Sequence, residues 1–203
     1  MANNKVTMIG TITEYEYSHE VCGEKFYSTL IKTERRSGTV DVIPMIFSEH
    51  FLKKITIGET YKVQGEIRSK NHEGKCLIFL FVNDIDVPNE TDNQTNNIVE
   101  LDGFICKPTF YRETPLGREI TDCFLAVNRK FLSKSDYIPC IMWGRNARVF
   151  GGLEIGTHVK VAGRIQSREY TKKIAEDEYE TRTAYEVSVT KFQIMEGETD
   201  GEI

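Results

Sequence analysis

The sequence predicts an all-β protein built as two tandem five-stranded barrels, and three observations predict it. The first is an internal repeat: Ile57–Lys70 (IGETYKVQGEIRSK) and Ile155–Arg168 (IGTHVKVAGRIQSR) agree at seven of fourteen positions, so one folding unit is used twice. The second is that landmarks of the two halves keep step. Gly10 and Gly103 lie 93 residues apart, Pro44 and Pro139 lie 95 apart, and Gly65 and Gly163 lie 98 apart. Spacings that drift so slowly mean equivalent strands joined by loops of slightly different length. The third is a period of two: Tyr61, Val63 and Ile67 alternate with Lys62, Gln64, Glu66 and Arg68, and Val159, Val161 and Ile165 alternate with Lys160, Arg164 and Arg168. That alternation marks strands with one buried face.

The elements follow in order. The first copy is expected to place strands at Lys5–Tyr17, Lys25–Glu34, Val40–Phe47, Thr60–Lys70 and Cys76–Val87, with a short helix near Ser48–Ile55. The second is expected to place them at Ile98–Phe110, Arg118–Arg129, Asp136–Trp143, Thr157–Tyr170 and Thr181–Gln193. Thr114–Gly117 (TPLG) sets Pro and Gly where a tight turn wants them. Gly144–Leu153 suits a short helix, ended by Gly156. Gly10, Gly65, Gly103 and Gly163 fall inside strands, where glycine marks a bulge or sharp bend, and a small closed barrel needs such bends. Pro44 and Pro139 lie mid-strand and cannot donate to a ladder, so the third strand of each copy should have an unpaired side there. Five Gly-bent strands with a helix between the third and fourth describe the OB fold, a partly open Greek-key barrel. The first fold is expected at 1–88 and the second at 98–195. Between them 89–97 is a polar linker, within PNETDNQTNN, and 196–203 (EGETDGEI) is a short acidic tail.

Composition bounds the function. The net charge of −5 hides a division: residues 1–96 carry −3, residues 97–195 carry +2, and the last eight carry −4. Only the second copy has a positive balance, and whole-chain charge says little about a local groove. Five cysteines, odd in number and never spaced as CxxC, read as reduced thiols rather than disulfides or zinc ligands. No apolar run approaches the roughly 18 residues of a membrane helix, and the start MANNKVTMIG has no signal-peptide core, so a cytoplasmic location is expected. His19, His50, His72 and His158 are scattered. Glu176, Asp177, Glu178 and Glu180 read as an exposed hairpin tip, and no phosphate loop or nucleophile elbow occurs. The expectation is a protein that is not an enzyme, with no cofactor and no metal.

Parity gathers a candidate surface in the second copy. Tyr137, Ile141 and Trp143 share one face of the third strand; Val127 and Arg129 share a face of the second, with Phe131 two residues beyond. Lys160, Arg164, Arg168 and Tyr170 share the face of the fourth strand opposite its apolar residues, and Lys172 and Lys173 follow in the loop. Aromatics interleaved with Arg and Lys are what single-stranded nucleic acid needs, because every base has a π face and every phosphate wants a cation. Parity leaves a second reading open, in which Tyr137, Ile141 and Trp143 fill the core and the basic residues form a solvated face.

The segments IVELDGFICKPTFYRETPLGREITDCFLAVNRKF, YIPCIMWGRNA and GTHVKVAGRIQSREY resemble the bacterial single-stranded DNA-binding proteins, over Asn97 to about Val189. The resemblance implies base-stacking positions at Phe131, Tyr137, Trp143 and Tyr170 and basic positions at Arg112, Arg129, Arg145, Arg164 and Arg168. It also implies single-stranded DNA as the partner, a role in replication, recombination or repair, and a homodimer presenting four OB folds. The tail lacks the long linker and Pro-Phe tip through which such proteins recruit replication enzymes, and reads as a solvated end.

The first copy departs from that pattern. By the nearest offset Phe131 faces Arg36, Tyr137 faces Val42, Trp143 faces Phe47 and Tyr170 faces His72 or a neighbour. Phe47 is then its stacking candidate, and Tyr17, Arg35, Arg36, Arg68 and Lys70 could track a nucleic-acid backbone. A supporting or dimer-forming first copy and a second binding site both remain open. The rival functions are a protein–protein OB module of a primosome-like or phage assembly, and an RNA-binding OB protein.

Overall fold

The structure, a computed structural model, describes residues 3–72, 75–89, 92, 96–130, 132–175 and 178–195. It contains two OB folds. The first comprises β1 (Asn4–Val21), β2 (Glu24–Glu34), β3 (Val40–Ser48), β4 (Thr60–His72) and β5 (Lys75–Asp86). The second comprises β6 (Asn97–Ile105), β7 (Phe110–Glu113), β8 (Glu119–Asn128), β9 (Ser135–Trp143), helix α1 (Arg145–Phe150), β10 (His158–Ala175) and β11 (Glu178–Ile194). The strand order is β2-β3-β5-β4-β1-β6-β10-β11-β9-β8-β7, and the pairings β1–β2 and β6–β8 close the two barrels.

Three elements differ from the sequence reading. The first strand of the second copy is broken after Ile105, at the Lys107-Pro108 segment, and resumes as β7 paired to β8. The fourth runs on to Ala175, so Lys172 and Lys173 lie on β10 and not in a loop. In the first copy the helix shrinks to a 3-10 turn at Glu49–Phe51, capped by the Ser48 hydroxyl, which accepts from the His50 amide. Helix α1 is longer because it buries Ala147 and Phe150 in the second core, and the Thr121 hydroxyl donates to the Ala147 carbonyl at 2.7 Å.

The prolines behave as their chemistry requires. The parallel ladder of β3 to β5 begins at Met45, and that of β9 to β11 begins at Cys140, each one residue past the proline. Gly65 and Gly163 mark register shifts at the bend of β4 and β10, and a Cβ there would meet the Phe81 or Ser188 carbonyl oxygen at 2.1 or 2.2 Å. Inward residues at period two fill the cores: Ile43, Met45 and Phe47 on β3, and Ile138, Cys140 and Met142 on β9. All five cysteines are free. The Cys140 thiol is pushed well above its ordinary value, first by its hydrogen bond with Cys123 and then by burial.

The barrels meet edge to edge. β1 pairs antiparallel with β6 from Asn4↔Leu101 to Met8↔Asn97, centred on Val6↔Val99, which relates the copies by a pseudo-two-fold axis. Each barrel then reaches into the other at the edge its proline leaves open. The Val42 amide donates to the Ser167 hydroxyl at 3.1 Å, and the Tyr137 amide donates to the Ser69 hydroxyl at 2.8 Å. The Ser167 amide donates to Asp41 at 2.8 Å and the Ser69 amide donates to Asp136 at 2.6 Å. Both carboxylates are buried, and each is held by a two-pronged guanidinium, Arg35 on Asp41 (2.7 and 2.6 Å) and Arg129 on Asp136 (2.9 and 2.7 Å). Arg68 adds a second cation to Asp136 at 3.1 Å. Paired, hydrogen-bonded geometry of this kind is what keeps a buried carboxylate tolerable.

Candidate nucleic-acid interface

The outward face of the second barrel is organised in rows that cross its strands. One row runs from Phe110 on β7 through Asp122 on β8, Ile141 on β9 and Ser188 on β11 to Arg164 on β10. A second joins Arg112, Ile120 and Trp143. A third joins His158, Phe104, Ala126 and Tyr137, with the Phe104 and His158 rings stacked at 4.5 Å. Opposed residues in adjacent strands lie on one side of a sheet; along these rows Phe104, Phe110, Tyr137 and Trp143 are exposed, while Ile120, Ile141 and Ser188 are buried.

Parity also settles the two readings of β9. The core takes Asp136, Ile138, Cys140 and Met142; Tyr137 and Trp143 point outward, 50% and 41% exposed. Ile141 lies on their face but is buried. Val127 belongs to the core face of β8, so the outward residues of that strand are Asp122, Phe124 and Ala126 instead. The sequence reading missed Phe104, Phe110 and Phe124. Lys107 sits over the Phe124 ring at 4.4 Å, an arrangement that already pairs a cation with a π face.

Each remaining site residue has a definite place. Arg145 at the start of α1, and Lys172 and Lys173 on β10, are exposed and make no ion pair among the described residues. The two lysines point to opposite sides of β10, since successive strand residues alternate. Arg168 is exposed beside Tyr170, its guanidinium 5.9 Å from the ring centre, with Glu186 at 3.5 Å. Arg112 is paired with Asp122 at 2.8 Å. Arg164 is half-buried, and it donates a long hydrogen bond to Gln166 at 3.5 Å. Phe131 lies outside the described residues, as does the acidic tail.

Four assignments need correction. Arg129 and Arg35 are not free phosphate ligands: each guanidinium is spent on the buried aspartate of the inter-barrel lock. Hydrogen bonding to Asp41 holds Arg35 above its ordinary basicity. Arg68 is likewise shared between Glu66 and Asp136. Phe47 is no stacking platform. It is 0% exposed, packed between the rings of Tyr15 and Tyr27. The offset of 95 set by Pro44/Pro139 makes Phe47 equivalent to buried Met142 and makes Ser48 equivalent to Trp143. A slip of one residue moves a side chain to the other face. Tyr17 on β1 and Lys70 on β4 are exposed, and Arg36 is exposed on the β2–β3 loop.

The lock itself was within reach of the sequence. Asn4/Asn97, Arg35/Arg129, Asp41/Asp136 and Ser69/Ser167 are identical pairs separated by 93, 94, 95 and 98 residues, the same drift as the landmarks. Asn4 brackets Ile67 with two backbone hydrogen bonds of 2.8 and 2.9 Å, and Asn97 does the same to Ile165 at 2.8 and 3.1 Å.

Strand order, barrel closure and the helix between the third and fourth strands define a tandem OB-fold protein. Comparison with known proteins then narrows the class. The single-strand binding protein family matches residues 96–195. "Single-stranded DNA-binding protein 3" of Streptococcus agalactiae is 35% identical over 107 residues, covering 50% of this chain and 74% of that protein. "Single-stranded DNA-binding protein A" of Bacillus subtilis is 33% identical over 111 residues, covering 52% of this chain and 62% of that protein. The chain belongs to the single-strand binding protein family. Its whole fold is similar to the wild-type single-stranded DNA binding protein from Thermus aquaticus, with a TM-score of 0.75 over 98% of this chain and 96% of that one at 18% identity.

Proposed function

We propose that the chain binds single-stranded DNA with little sequence preference, chiefly on the outward face of the second barrel. The observation that carries this reading is the outward, half-exposed setting of Tyr137 and Trp143 on β9, over a sheet face that ends in Arg164. Membership of a family whose relatives are named as single-stranded DNA-binding proteins supports it. Stacking on Tyr137, Trp143 and Tyr170 supplies about 1–3 kcal/mol per base, the range known for single-stranded DNA-binding proteins of this family. Arg145, Lys172 and Lys173 supply cations without an ion pair among the described residues, Arg168 adds an exposed guanidinium already paired with Glu186, and their phosphate contacts release counterions. Phe131 joins the platform on the strength of its resemblance to the family's stacking positions. The two folds divide the chain at 1–88 and 98–195, and two chains form a homodimer with four barrels that coats strands exposed in replication, recombination or repair.

The chain has a single tryptophan, so the test is direct. Titrating oligothymidylate at low salt should quench Trp143, and raising salt should release the strand. Absence of both quenching and a gel shift sinks the reading. Sedimentation should give a mass near twice 23.3 kDa; a monomer removes the dimer and leaves the DNA site standing.

A further inference from the structure

A cleft of about 860 Å³ opens between the barrels, bounded by the end of β2 and the following loop, the start of β6, and the bends of β10 and β11. Among the described residues, two buried side-chain nitrogen or oxygen atoms lack a hydrogen-bond partner, Thr33 Oγ1 and Arg164 Nε. Both residues line this cleft. Thr33 is 2% exposed. A buried donor without an acceptor costs about 1–3 kcal/mol, so two of them in one cleft call for an occupant that accepts hydrogen bonds. Lys191 also lines the cleft and makes no ion pair among the described residues.

The pseudo-two-fold axis provides an internal control. On the opposite side the equivalent of Arg164 is Glu66, which is tied to Arg68. Lys191 pairs with Ala162 as Asp84 pairs with Gln64, so Asp84 takes the place of Lys191. Thr33 faces Asp41 as Val127 faces Asp136, so Val127 takes the place of Thr33. Two cations and a hydroxyl on one side become two anions and an apolar methyl on the other. The serine, aspartate and two-pronged arginine contacts of the lock recur on both sides, with Arg68 added at Asp136 alone, and Thr33, Arg164 and Lys191 take no part in them.

We infer that this one cleft seats a phosphodiester group of single-stranded nucleic acid, accepting from Arg164 Nε and Thr33 Oγ1 beside Lys191, where the strand leaves the second barrel and passes to the first. The inference rests on the single-stranded DNA reading above. Arg164 stands at the β10 end of the row Phe110–Asp122–Ile141–Ser188–Arg164, in which Ile141 and Ser188 are buried, so the cleft lies across the width of the sheet from Phe110.

The test compares Arg164→Met, Arg164→Lys and Thr33→Val with the natural protein on an oligothymidylate long enough to span both barrels. One lost phosphate contact lowers the slope of log K against log salt by about 0.7, which is a loss of about eightfold in affinity near 50 mM salt that vanishes towards 1 M. Arg164→Met should show that change with Trp143 quenching at saturation intact, and Arg164→Lys should recover most of the slope. Thr33→Val should weaken binding two- to fivefold without loss of thermal stability. In the natural protein the Arg164 Nε–H resonance should shift on adding the oligonucleotide. An unchanged slope in Arg164→Met while the natural protein binds normally overturns the cleft site alone. A resonance shift with inorganic phosphate but none with the oligonucleotide overturns it too, by making the cleft a free-anion site. Failure of the natural protein to bind overturns the broader reading instead.

Discussion

The two barrels share a core and part company on their outward faces. In the first, the aromatic residues of β1, β2 and β3 turn on one another: Tyr15, Tyr27 and Phe47 form a cluster of ring contacts at 5.7 to 5.9 Å. In the second, Phe104, Phe110, Tyr137, Trp143 and Tyr170 face solvent. Charge follows the same division, with Glu66 and Asp84 in one copy where the other has Arg164 and Lys191. One copy thus turns these rings on one another and the other turns them to solvent. What duplication holds constant is the lock of paired serine, aspartate and arginine, because each barrel must fill the edge its proline opens.

The largest expected effect separates packing from contact. Phe47→Ala should destabilise the protein by about 3–5 kcal/mol, the range for emptying a buried aromatic site. Denaturant unfolding measures it, and the folded fraction should bind DNA nearly as before. A Phe47→Ala protein of normal stability but weakened DNA binding would return Phe47 to the binding face and erase the contrast.

Next comes the lock. Removing one partner of a buried pair strands the other and costs about 3–5 kcal/mol; Asp136→Asn and Asp41→Asn should both approach the lower end of that range. Asp136 carries two guanidinium partners and Asp41 one, so the loss at Asp136 should be the greater in parallel unfolding curves. Equal losses would mean that Arg68 contributes nothing across the barrels. On the contact side, Trp143→Ala should cost about 1–3 kcal/mol of DNA affinity, with unchanged thermal stability, while Tyr17→Ala in the first copy should change affinity far less. Comparable losses at Tyr17 and Trp143 would make the barrels equal binders.

The sequence carried the repeat, the strand count, the glycine bends and the open edge at each proline, because all of these are local or periodic. Parity also grouped Tyr137 with Trp143, and Arg164 with Arg168 and Tyr170, and left open which face of each strand is inside. Other features were not legible, for two physical reasons. Whether a basic residue is available depends on partners far along the chain, such as Asp136 for Arg68 at a separation of 68 residues. Which face a strand residue takes depends on a register that one residue can reverse, as at Phe47. Thr33 and Lys191 carried no signal of their own. Only the folded cleft brings them to Arg164.

The smallest expected effect lies at the rim of the second barrel's outward face. The Glu119 carboxylate accepts from Arg148 at 2.8 Å and from the Tyr111 hydroxyl at 2.6 Å, and these bonds, Arg148 first, hold it below the usual carboxylate range. In the first copy the equivalent position is Lys25, so this feature belongs to the second barrel alone. A carboxyl lowered in the folded state contributes its full stabilisation above the unfolded value of about 4.3. That contribution is lost as pH falls through the lower folded value. Stability should therefore decline more steeply on acidification in the natural protein than in Glu119→Gln, which has no proton to take up. Because the Gly144 amide donates to the Glu119 carbonyl at 2.8 Å, the neighbouring Trp143 emission should report the same transition locally. Identical acid profiles for Glu119→Gln and the natural protein would show that Tyr111, Glu119 and Arg148 sit together without coupling.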